Sequence, residues 1–165
     1  MESLNKFFLF VMIICVLNSC KEQPDTSSVI TEIEFSETHK EIKDRLTKEG
    51  YQIFDYVDEK TGDSIIMQQY FIAFLKAGPN RSQSEEEAEV LQKAHLNHLQ
   101  RMYDQGYADI SGPFGDDGDI KGITIYSTPT LKIADSLANL DPMVKAGRLI
   151  IEVHPWWAAK GFSLR

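Results

Sequence analysis

Cysteine is nearly absent from this chain. The two present, Cys15 and Cys20, both lie within the first twenty positions. If processing removes everything before Cys20 and Cys20 itself is lipidated, the remaining chain has neither a disulfide nor a free thiol. Thiol catalysis and thiolate metal sites are then excluded from the folded part. Basic charge is also scarce: 17 Lys and Arg stand against 25 Asp and Glu, a formal net charge of -8. Nucleic-acid binding needs Lys and Arg clustered against phosphates, and an anionic membrane surface needs a basic patch, so the composition argues against both. No HExxH pattern exists. His95 and His98 supply two metal ligands at best, where zinc sites use three or four protein ligands. The acids of GDDGD (Asp116, Asp117, Asp119) form a run too short for a calcium loop. No metal is expected.

The apolar runs are short as well. In MESLNKFFLFVMIICVLNSC, Lys6 precedes an uncharged apolar stretch from Phe7 to Leu17. A membrane span needs about 20 such residues. The stretch fits the h-region of a secretory signal peptide instead. LNSC (Leu17, Asn18, Ser19, Cys20) looks like a bacterial lipobox, in which cleavage precedes a Cys that becomes lipidated. The expectation is a signal peptide over 1–19, lipidation at Cys20, and a mature domain held at the bacterial cell envelope, outside the cytoplasm. Several acyl chains on one Cys anchor firmly, at about 0.8 kcal/mol per buried CH2. An ordinary signal peptide cut nearby, or an uncleaved anchor, is the alternative.

Beyond Cys20 the chain is polar and weakly patterned to about residue 37, which predicts a flexible tether over 20–37. Residues 38–68 predict a helix from Thr38 to Lys48, stopped by Gly50, and the first part of a hairpin. In that hairpin YQIFDYV and SIIMQQYFIAFLKAG are joined by DEKTGD. Ser84, with Glu87 three residues on, is a capping box, and it opens a helix that should run to about Gln105 and stop at Gly106. YADISGPF and IKGITIYS read as strands. Thr128-Pro129 reads as a helix start with Pro at the first position, and that helix should end before Asp141-Pro142. AGRLIIEVHPWW is the last strand. From residue 69 the order is therefore β-α-β-β-α-β, an α+β, ferredoxin-like arrangement with helices on one face of an antiparallel sheet.

The other sheet face should not be bare. Phe71, Ala73 and Leu75 alternate with Tyr70, Ile72 and Phe74, and both sets are largely apolar. A sheet wetted on one face should alternate more cleanly. A second copy of the sheet, giving a homodimer, is the simplest cover. The upstream helix or hairpin is the other.

AHLNHLQRMYDQGYADISGPF, GITIYST and LDPMVKAGRLIIEVHPW carry a resemblance. Residues 69–162 resemble the YCII-related family of small bacterial proteins. The family places a His on the first helix, a Gly near its end, a Gly-Pro after the second strand and an Asp-Pro after the second helix. Here these fall on His95, Gly106, Gly112 and Pro113, and Asp141 and Pro142. The resemblance implies a dimeric α+β barrel in which the His and Asp meet in a pocket as an acid-base pair. It also implies relatives that act as lyases, isomerases or dehydrochlorinases on small ring compounds, and it implies no cofactor.

Read as residues alone, Leu91, Ala94, His95, His98, Leu99 and Met102 share one helical face. A histidine on such a face is more often a hydrogen-bonded core residue than a catalyst. The chemical case for His95 is that imidazole exchanges a proton near neutrality and needs a carboxylate to fix its tautomer. Asp141 would be that carboxylate; its plain reading is a turn residue before proline. His98, Gly112, Pro113 and His154 are pocket candidates. Two alternatives stand: a lipid-anchored enzyme using a His95–Asp141 dyad on a small organic molecule, or a non-catalytic small-ligand-binding or structural envelope lipoprotein.

Overall fold

The computed structural model describes residues 37–164, and the signal peptide, the lipidation candidate Cys20 and nearly all of the tether lie outside them. The first described element is helix α1 (His39–Lys48). Thr38 caps it: the Thr38 hydroxyl accepts from the Glu41 amide, and the Glu41 carboxylate accepts from the Thr38 amide at 2.8 Å. Strand β1 (Ile53–Val57) then pairs antiparallel with β2 (Ser64–Ala77) through a turn at Gly62, whose φ of 76° suits glycine.

Helix α2 (Glu85–Asp104) starts at Ser84, which shares a full capping box with Glu87, and stops before Gly106 at φ 73°. Strands β3 (Ala108–Pro113) and β4 (Ile120–Tyr126) follow. Helix α3 (Leu131–Ala138) begins later than Pro129 would suggest. Its N-cap is Thr130, whose hydroxyl accepts from the Ile133 amide. Thr128 lies outside the helix, buried, with its hydroxyl on the Thr130 carbonyl. A second departure is α4 (Pro142–Lys145): Asp141 does not merely end the preceding helix but caps a new one, with Pro142 at its first position. Strand β5 (Leu149–Ala159) closes the chain.

All five strands form one antiparallel sheet. Along one edge β2 pairs with β5 from Met67 to Ala77; along the other it pairs first with β1 and then with β4, which carries β3 outside it. The order β5-β2-β4-β3 is ferredoxin-like. Strand β2 runs unbroken through residue 69, so the N-terminal hairpin and the ferredoxin-like part share a strand.

Parity along β2 sorts the two faces. Phe71 and Ala73 point to the helical side, where they pack with Met102 of α2, Tyr126 of β4, and Ala134 and Ala138 of α3. Burying a side chain such as Phe71 or Met102 contributes about 1.5–3 kcal/mol, and an alanine less. Even-numbered residues point the other way. Helix α1 covers the early part of that face: Lys43 reaches Asp55 at 2.7 Å, and His39 reaches Ser64 at 3.1 Å. Ile66 and Gln68 are buried there, with Gln68 bonded to Ser127. Further along, Ile150 and Trp156 are left 50% and 42% exposed.

Candidate active site

Asp141 has both oxygens committed. Oδ1 accepts from the Met143 amide at 2.8 Å, the local bond that caps α4. Oδ2 accepts from Nδ1 of His95, 2.5 Å away on α2. Asp141 is 2% exposed and His95 8%. A carboxylate can only accept, so the proton of neutral His95 sits on Nδ1 and Nε2 keeps its lone pair. The two residues lie 46 positions apart in sequence, and the packing of α4 against α2 brings them together.

His95 lies on the wall of a cavity of about 430 Å³. Leu75, Leu96, Leu99, Ile123 and Leu149 make it mostly apolar, and Gly112 and Pro113 of β3 form part of its rim. Gly122 lets β3 come this close, since a Cβ there would stand 2.7 Å from the Gly112 carbonyl oxygen. Met143, the residue Asp141 caps, also lines the space. Thus one carboxylate positions both the histidine and another residue of the cavity wall.

The other two candidate histidines stand elsewhere. His98, one helical turn from His95, is 1% exposed and does not line this cavity. Its Nδ1 accepts from the Arg101 guanidinium at 2.8 Å. Its Nε2 makes no hydrogen bond of good geometry, although the Leu137 carbonyl favours a proton there. Burial, with lesser help from Arg101 and His95, holds its pKa below the ordinary value despite the opposing pull of Asp141 and Leu137. A neutral ring wedged under a guanidinium is a packing residue. His154 belongs to the opposite sheet face, where it bonds Glu152 at 2.8 Å and stands edge-on to Phe74. Tyr126 lies close enough to the dyad that the Asp141 charge, after burial, raises its phenol well above the usual range, so it stays protonated.

Arg81, Lys121 and Arg148 also line the cavity, and sequence reasoning did not single them out. Arg81 and Arg148 follow the glycine turns flanking β2 and β5. Their nearness rests on the pairing of Ala77 with Leu149, which no local pattern announces. Among the described residues no cluster of three or more His, Cys, Asp or Glu is placed to hold a metal.

Residues 70–157 match the YCII-related domain model. The chain belongs to that family. One solved structure similar to it is the 5-chloro-2-hydroxyhydroquinone dehydrochlorinase (TftG) of Burkholderia phenoliruptrix AC1100, in complex with 2,5-dihydroxybenzoquinone. The two are 24% identical, with a TM-score of 0.40, and the match covers 53% of this chain and 92% of the other. No curated protein matches. The match to the YCII-related model spans every strand of the ferredoxin-like order in whole or part, and it contains His95, Gly112, Pro113 and Asp141.

Proposed function

We propose that this YCII-related protein is an acid-base catalyst acting on a small organic molecule. In this reading Nε2 of His95 removes a proton from a C–H or O–H group, Asp141 stabilises the imidazolium that forms, and the proton is later returned. From a C–H group the released electron pair enters an enolate. Reprotonation at another carbon is isomerisation; expulsion of a leaving group is a lyase or dehydrochlorinase step. The observation that carries the reading is the 2.5 Å bond from His95 Nδ1 to a buried carboxylate, with the same ring on a cavity wall.

The test is deuterium exchange. Cyclic enolisable ketones, lactones and hydroxyquinones are incubated in D2O with the native protein and with His95→Gln, and incorporation is followed by proton NMR. At least one compound should exchange with the native protein, and the His95→Gln rate should be lower by roughly 10²–10⁴-fold, the range of general acid-base catalysis. Exchange that is indifferent to His95, or absent across the set, sinks the proposal.

Two further parts of the reading concern assembly and place. The uncovered apolar face beyond α1, with Ile150 and Trp156 outermost, is the surface a second copy would bury in a dimeric α+β barrel. Light scattering of residues 21–165 at micromolar concentration should give twice the monomer mass; a clean monomer would refute this. Anchoring at the cell envelope rests on Leu17, Ser19 and Cys20. Cys20→Ser should release the protein from membranes and abolish fatty-acid labelling, and unchanged labelling would rule out the lipid anchor.

A further inference from the structure

The chain as a whole is acidic, yet the cavity beside His95 is not. Among its lining residues stand three cations, Arg81, Lys121 and Arg148, and not one carboxylate. With 25 acids against 17 bases in the sequence, a random sampling of the surface would give the opposite balance. The acid nearest the site, Asp141, is spent on His95 and Met143.

None of the three cations is neutralised by another described residue. Arg81 makes no hydrogen bond or ion pair among the described residues, and neither Lys121 nor Arg148 has a described carboxylate within ion-pair distance. Lys121 donates to the Gly118 carbonyl at 2.7 Å. Arg148 donates to the side-chain carbonyl of Gln83 at 2.8 Å, while its Nε is buried without a partner among the described residues. A guanidinium with a buried, unused N–H is costly unless something accepts from it. Its backbone is not free to carry it away, because the Gly78 amide donates to the Arg148 carbonyl at 2.8 Å.

We infer that the cavity binds a small organic carboxylate, with Arg148 and Arg81 as its anion-holding residues and the leucine-rich walls taking its apolar body. Guanidinium groups fit a carboxylate through paired N–H bonds, and Lys121 adds a point charge. A volume near 430 Å³ is ample for a single-ring molecule. This deepens the acid-base reading of the same site, since it names the substrate class on which His95 would act.

Benzoate and benzamide test it, because they share a ring and differ in charge. Binding of each to the full-length chain is measured by isothermal titration and by thermal shift. Benzoate should bind at least about tenfold more tightly than benzamide, and the preference should fall as salt rises. Arg148→Gln and Arg81→Gln should each weaken the preference and together erase it, mainly by loosening benzoate; Arg81 is exposed, so its variant tests the idea even if the Arg148 variant folds poorly. Equal binding of the two probes, including no binding of either, overturns the inference, as does a preference that is undiminished in the Arg81→Gln variant. His95→Gln separates this outcome from that of the catalytic reading. If it abolishes deuterium exchange but the probes bind alike, only the anion assignment fails. If exchange ignores His95 while benzoate is preferred through the arginines, only the catalytic reading fails.

Discussion

Asp141→Ala is expected to lower the unfolding free energy by about 2–6 kcal/mol, the cost of stranding two buried donors. The native carboxylate satisfies two donors, the Met143 amide and His95 Nδ1, and is almost wholly sealed from water. Alanine leaves both buried and unpaired, at roughly 1–3 kcal/mol each. It also strips the cap from a helix of only four residues. Met143 would then loosen from Leu75 and Leu149, with which it forms a small core under the cavity. Asp141→Asn should behave very differently. Its side-chain oxygen still caps Met143, so stability should fall by only about 1 kcal/mol. Its amide nitrogen, however, presents a donor to Nδ1, and the imidazole must answer by moving its proton to Nε2. The base is then lost at the atom left for the cavity, and any His95-dependent rate should drop by roughly 10³–10⁴-fold, as when the carboxylate of a triad becomes an amide. Urea unfolding of the three proteins checks the first half. Nitrogen-15 NMR of His95 checks the second, with the protonated nitrogen exchanging between native and Asn forms. Equal stability of the alanine variant, or an unprotonated Nε2 in the Asn variant, would refute this account of the site.

Gly78→Ala should cost about 3 kcal/mol, at the upper end for overpacking. The residue ends β2 beside the turn into β5. A Cβ there would overlap the Gly147 carbonyl oxygen and stand 2.6 Å from the Arg148 carbonyl carbon and 2.8 Å from the Leu149 nitrogen. All three are backbone atoms, so no rotamer change relieves the clash. Either the strands separate or the turn shifts, and the turn carries Arg148 into the cavity wall. Gly62→Ala is the control. Gly62 holds φ 76°, and an added methyl would meet no described atom within 4 Å, so only backbone strain applies, about 1–3 kcal/mol. Thermal and urea unfolding should rank Gly78→Ala below Gly62→Ala. Comparable stability of Gly78→Ala and the native protein would mean the close approach of β2 and the β5 turn is not required.

Much of the architecture is legible in the sequence because it is local. The Ser84–Glu87 box and Gly106 bracket α2 within a residue of its ends, since capping acts over a single turn. The inward lean of His95, His98 and Met102 follows from helical periodicity, and all three are buried. Local signals mislead where two of them compete. Thr128-Pro129 signals a helix start, but the cap goes to Thr130 because its hydroxyl meets the Ile133 amide while Thr128 turns inward. At Asp141 the following proline signals a stop, whereas it also begins the next helix.

By itself the sequence determined the order of the strands and the three longer helices, the α+β class, the helical face that carries His95 and the family whose pattern marks Asp141 as its partner. Only the tertiary structure decided that α4 packs on α2 so that one carboxylate bonds both Met143 and His95. It put His95, which the family pattern had already singled out, on a cavity wall and sealed His98 beneath Arg101, and it alone gathered Arg81, Lys121 and Arg148 around one space. The physical reason is range. Caps, turns and periodicity act within a few residues, whereas a binding site is a meeting of side chains whose separation in the chain says nothing of their distance in the fold.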